Sequence, residues 1–72
     1  MESIRKELDS AKKKYPKFPT DIIHMVSIMN EESGESIRAA LNHVYHFENI
    51  KNLKKELVQT AAMCIRCLEG LK

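Results

Sequence analysis

From Ile22 to Val44 the hydrophobic positions recur every three or four residues: Ile22, Val26, Met29, Ile37, Ala40 and Val44, with Ser33 as the polar member of the series. That spacing is one stripe of a helix, and it predicts a helix over about residues 20–47. Thr20 serves as its N-cap, and Asp21 suits the positive end of its dipole. Upstream, Ile4, Leu8, Ala11 and Tyr15 form a shorter stripe, which predicts a helix over about residues 2–14. The segment Tyr15-Pro16-Lys17-Phe18-Pro19 separates the two. Each proline there removes a backbone donor and restricts the residue before it. Downstream, Leu53, Leu57, Ala61, Cys64, Leu68 and Leu71 mark a third helix over about residues 50–70, with Asn49 as cap and Gly70 as stop. Val58, Ala62 and Ile65 widen its apolar arc beyond that of a simple surface helix. No alternation of strand type appears, so the expected class is all-α. Gly34, in the middle of the long helix, costs ~1 kcal/mol relative to alanine. A close approach of another backbone is one reason to keep it; simple tolerance is the other.

With 72 residues the chain holds one domain, and so short a domain buries only a modest core. Packing against a copy of itself would add to that core. Hydrophobic residues make up 43%, enough for a folded chain, and the net charge of +2 is too small to argue for nucleic acid. No apolar run approaches the ~20 residues that span a bilayer, and the charged residues behind Met1 leave no apolar signal core. Two cysteines are too few for a disulfide scaffold. The expectation is a soluble cytoplasmic protein with no nucleic-acid or membrane partner.

Charge changes the picture in the two long helices. At ~100° per residue, with Val26 at zero, Glu32 falls near ~240°, between Met25 and Ala39 and away from the main stripe. Glu35 lies at the edge of this second apolar face, and Glu31 just beyond it. In the third helix Glu56 sits between Met63 and Cys67, and Gln59 lies beside Arg66, one turn further on. A carboxylate within an apolar arc is costly unless something compensates it. Residues three apart share a helix face, so each helix offers a pair of oxygen donors. Two antiparallel helices then gather Glu32, Glu35, Glu56 and Gln59 around one point, a donor set suited to a hard cation such as Mg²⁺. Solvation, or pairing with Lys54, Lys55 or Arg66, is the alternative.

The order Glu31-Glu32-Ser33-Gly34-Glu35, twenty intervening residues, then Glu56-Leu57-Val58-Gln59 resembles the signature of the MazG-like nucleotide pyrophosphohydrolases. Phe18-Pro19 ahead of the first motif, and Glu-Leu-Val-Gln-Thr-Ala-Ala-Met from Glu56, extend the likeness over about residues 15–70. The resemblance implies a three-helix protomer assembled into an intersubunit helical bundle, as a homodimer or a dimer of dimers (homotetramer). It implies Mg²⁺-dependent hydrolysis of a nucleoside triphosphate to the monophosphate and pyrophosphate, with Mn²⁺ as a substitute metal. Glu32, Glu35 and Glu56 are then metal ligands, and Glu31 activates water or completes the shell. Gln59 stands where the family usually has an aspartate, so the site carries one negative charge fewer.

In that chemistry a metal polarises the phosphorus and a carboxylate base aids water attack at the α-phosphorus. Lys12, Lys13, Lys14, Lys17 and Arg66 are candidate cations for the polyphosphate, with Phe18 and Tyr15 as platforms for a base. The bland readings are a solvated lysine face and aromatic packing of the proline turn. Cys64-Ile65-Arg66-Cys67 lacks the second pair that zinc or redox chemistry requires, and reads as core. His43 and His46 suit the negative end of a helix better than a metal. Two rivals to the hydrolase remain: a catalytically weak relative that binds nucleotide or a protein partner, and a plain helical oligomerisation module.

Overall fold

Three helices follow one another in the structure, a computed structural model that describes residues 2–71: α1 (Glu2–Lys14), α2 (Ile22–His46) and α3 (Ile50–Gly70). No strand occurs among the described residues, and the class is all-α as expected. The predicted limits of α1 and α3 agree with these spans. For α2 the cap moves by one residue: Asp21, not Thr20, accepts a hydrogen bond from the His24 amide through Oδ2 at 2.9 Å. Asp21 follows the Pro19 break directly enough to take the extended backbone that a cap requires. Asn49 caps α3 as its position predicts, accepting from the Lys51 amide at 2.8 Å.

Phe47 ends α2 with φ 56 and ψ 28, the only non-glycine residue with positive φ among those described. The turn is held from both sides. The Glu48 amide donates to the Asn42 carbonyl at 3.2 Å, and His43 Nδ1 donates to the Glu48 carbonyl at 2.7 Å. His43 therefore closes the α2–α3 turn. Gly70 is the last residue of α3 and keeps negative φ. A Cβ on it would lie 2.7 Å from Met25 Sδ, so its use is to make room for that side chain rather than to adopt a left-handed stop.

The helix α3 lies between the other two, packing against both, while α1 and α2 do not pack on each other. The core is small, as the length requires. Met25, Ala39, Ala62 and Cys67 are its buried apolar members, and Met25 is the one large side chain wholly out of solvent among the described residues. Cys67 Sγ donates to the Met25 carbonyl at 3.4 Å. Of the CxxC pair it is thus Cys67, rather than Cys64, that is fully buried; burial and the neighbouring Cys64 push its thiol pKa up, as befits an unreactive core sulfur.

The face of α2 turned to α3 is the second apolar face, with Met25, Glu32, Ser36, Ala39 and His43 along it. The longer stripe points away: Ile22, Val26, Ile37 and Val44 are all exposed.

Candidate functional site

Both acidic motifs lie where α2 and α3 meet. Thr60 Oγ1 sits 2.9 Å from the Glu56 carbonyl, one turn back on its own helix, and the carbonyl can only accept, so the Thr60 proton is committed there. Ser36 Oγ, 3.0 Å away, then donates to Thr60 Oγ1; its alternative acceptor, the Glu32 carbonyl, is farther at 3.5 Å. The two hydroxyls stand four residues after Glu32 and Glu56. Their contact fixes the level at which the two acid-bearing turns face each other.

Glu32 feels that arrangement most. Its pKa is raised, first by partial burial, then by repulsion from Glu56, Glu35, Glu7 and Glu31 in that order. The structure thus gathers the field of the predicted acids on Glu32, and adds one from α1. Glu7 is not among the expected site residues, although its place between Ile4 and Ala11 sets it beside the α1 stripe, the signal that could have found it. The other two acids of the first motif lean outward. Glu31 is exposed, and Glu35 Oε1 pairs with Arg38 Nη1 at 3.5 Å on the solvent side of α2.

Two neighbouring cavities meet at Glu32. In one, of about 280 Å³, Glu32 and Gln59 face Glu7 and Lys14 across Met63. The other, of about 400 Å³, runs from Glu32 to the proline turn, with Ile28 and Met63 as apolar floor and Tyr15, Phe18, Lys17 and Arg66 around them. His24 also lines it, a residue the sequence does not single out for a site.

Arg66 is buried, 6% exposed, with no carboxylate bonded to it among the described residues. Its Nη2 donates to the Tyr15 carbonyl at 2.9 Å and its Nη1 to the Ala11 carbonyl at 3.4 Å, while the guanidinium lies 4.5 Å from the Phe18 ring centroid. It ties the end of α1 and the proline turn to α3, and so builds the wall of the larger cavity. Lys12 is occupied elsewhere, its Nζ 2.9 Å from Glu69 Oε1. Lys14 and Lys17 are the lysines that reach the two cavities; Lys12 and Lys13 do not line either.

The donor set is chemically suited to Mg²⁺: hard oxygens, with an excess of negative charge concentrated on Glu32. Among the described residues no three carboxylate, histidine or cysteine groups already stand at ligating separation. Mg²⁺ keeps several waters and needs only one or two direct carboxylates, so a pre-formed three-ligand cage is not required for it. No helix among the described residues is long and apolar enough to cross a membrane. Comparison with protein-family models, with curated proteins and with solved structures returns no match in any of the three.

Proposed function

We propose that the protein is a Mg²⁺-dependent nucleoside triphosphate pyrophosphohydrolase of the MazG-like kind, working as a homodimer or homotetramer. The observation that carries the reading is the position of Glu32: a carboxylate raised in pKa by burial and by four other acids, at the junction of an acidic cavity and an aromatic, cationic one. The resemblance of the two motifs to that family supplies the reaction.

Glu32 and Glu56, with Gln59 as neutral donor and Glu35 once it leaves Arg38, would hold Mg²⁺ (or Mn²⁺), which would supply charge neutralisation and polarise the phosphate oxygens. Glu32 acts as base. Burial and the neighbouring acids raise its pKa, which makes it a better proton acceptor than an ordinary glutamate. It takes the proton of the attacking water, with Glu31 at the outer edge orienting that water. The new bond joins water oxygen to the α-phosphorus, and the bond from that phosphorus to the α,β-bridging oxygen breaks. Pyrophosphate leaves toward Lys14 and Lys17, whose charge offsets its own. Phe18 and Tyr15 flank the nucleoside side of the larger cavity, and Arg66 holds their turn in place.

Pyrophosphate release from a panel of NTPs and dNTPs with Mg²⁺ tests the reading. Glu32→Gln and Glu56→Gln each abolish release and leave helicity by circular dichroism intact. Full activity retained in both variants refutes it.

Gln59 favours a second reading, a weak or inactive relative that binds nucleotide or a protein partner. It lines the Glu32 cavity without adding charge. Restoring the acid with Gln59→Asp separates the two: a large gain in Mg²⁺ affinity and turnover indicates a weakened enzyme, while nucleotide binding without turnover in either form indicates a binder.

A further inference from the structure

The larger cavity has two chemically different ends. Glu32 stands at one, and His24 stands at the other, two turns back along α2. His24, Ile28 and Glu32 form one row on the helix, and the row rises about 12 Å from first to last. That is close to the span from an α-phosphorus to the outer edge of a nucleobase. Ile28 and Met63 line the stretch between. On α3 the contact of Cys67 Sγ with the Met25 carbonyl sets the neighbouring Arg66 at the level of Met25, so Arg66 belongs to the His24 end. Phe18 lies on its guanidinium there, 4.5 Å from ring centroid to guanidinium carbon.

This end is rich in donors and poor in acceptors. A guanidinium has five N–H groups and no acceptor. Arg66 spends its recorded bonds on the Ala11 and Tyr15 carbonyls, through Nη1 and Nη2, which occupies those carbonyls as well. Its Nε takes part in neither bond. No sealed side-chain nitrogen among the described residues lacks a partner, so Nε is open to approach. Lys17 adds donors only, while a neutral His24 has one donor and one acceptor. The carboxylate of the cavity, Glu32, is at the far end.

Guanine, uracil and thymine carry a keto oxygen beside a ring N–H. Adenine and cytosine carry an amino group beside a bare ring nitrogen, the reverse order. A spare Arg66 N–H meets a keto oxygen, and the acceptor nitrogen of His24 takes the adjacent ring N–H. Against an amino base Arg66 faces N–H with N–H and leaves a buried donor unpaired. Histidine can change tautomer to suit either edge, but arginine cannot give up a proton.

We propose that the Arg66–His24 end of the cavity reads the edge of the base and selects keto bases (guanine, uracil, thymine) over adenine and cytosine. The proposal rests on the nucleotide-binding part of the reading above and names the class of base that site takes.

Isothermal titration of the full chain with Mg²⁺ and the α,β-methylene analogues of GTP, ATP, UTP and CTP tests it without turnover. The GTP analogue binds about tenfold or more tightly than that of ATP, and the UTP analogue likewise against that of CTP. Arg66→Gln, whose amide offers an acceptor as well as a donor, brings both ratios close to one; loss of a merely structural side chain would weaken all four alike. His24→Ala, at an exposed position that leaves the fold intact, weakens the two keto analogues roughly threefold and spares the amino ones. Should Arg66→Gln fail to fold, the parent ratios and His24→Ala decide. Parent ratios near one, a preference for amino bases, or ratios that His24→Ala leaves unchanged overturn the proposal. The hydrolase reading is scored separately, by pyrophosphate release. Discrimination in binding with no release from any nucleotide refutes the hydrolase alone, and release from all four triphosphates at equal kcat/KM refutes the base preference alone.

Discussion

Ser36 Oγ and Thr60 Oγ1 lie 3.0 Å apart and join α2 to α3 one turn beyond Glu32 and Glu56. The hydroxyls form a short relay from Ser36 to Thr60 to the Glu56 carbonyl, which sets the register of the two acid-bearing turns. Losing one hydroxyl leaves the other half-buried with one partner fewer. Ser36→Ala is expected to cost about 1 kcal/mol in urea unfolding. In a double-mutant cycle with Thr60→Val, the coupling is of order 0.5–1.5 kcal/mol. Additive single effects would mean that the contact does not set the register.

Glu32 makes the stability depend on pH. Its folded-state pKa is raised by burial and by the acids around it, so the folded chain binds that proton more tightly than the unfolded one. The contribution of Glu32 to stability is then most favourable below the ordinary glutamate value of 4.5 and declines as pH rises from there through the raised folded value. Glu32→Gln removes this decline and melts higher than the parent at pH 7. Thermal melts from pH 4 to 8 read it out, and parallel profiles for parent and variant contradict it.

Millimolar Mg²⁺ bears on the same carboxylate. A cation that binds the folded chain stabilises it by mass action, about 2.7 kcal/mol when its concentration is a hundred times Kd. On the proposed function, Mg²⁺ raises the melting temperature of the parent more than that of Glu32→Gln or Glu56→Gln, and Gln59→Asp enlarges the effect. Equal shifts in parent and variants would show that Mg²⁺ acts elsewhere.

Arg66 is as much a structural element as a candidate cation. Two donated hydrogen bonds and a stack on Phe18 depend on its planar fork. Arg66→Met is expected to cost roughly 2–4 kcal/mol in urea unfolding. Arg66→Lys recovers less than half of that, because an ammonium cannot hold both carbonyls and stack. Full recovery with lysine would assign Arg66 a charge role alone.

Phe47 occupies a left-handed conformation with its side chain 90% exposed. Glycine tolerates that backbone without the Cβ penalty, and little burial is lost with the ring. Phe47→Gly is expected to stabilise the chain by about 1 kcal/mol. A loss of stability on denaturant titration would show that the ring is covered in solution.

Much was legible in the order of residues, for local reasons. Two prolines three residues apart stop a helix wherever they occur, Asn49 caps the helix that begins after it, and apolar residues at three- and four-residue spacing fix α1 and α3 to within a residue. Placing Glu32 within an apolar face needed only the geometry of one helix. The end of α2 at Phe47 was legible to within a residue, but its left-handed conformation was not, because no glycine or asparagine marks it; the His43 and Asn42 contacts hold it there. Nor did the pattern say which of two apolar faces of α2 meets α3. That choice depends on what fits: Met25 enters the space left by Gly70, and Ser36 meets Thr60. The same packing brought Glu7 of α1 into the field of Glu32 and buried Arg66 against the proline turn. Helical periodicity belongs to each segment alone, whereas burial, carboxylate repulsion and cavity shape arise between segments distant in sequence, and only the tertiary structure could decide them.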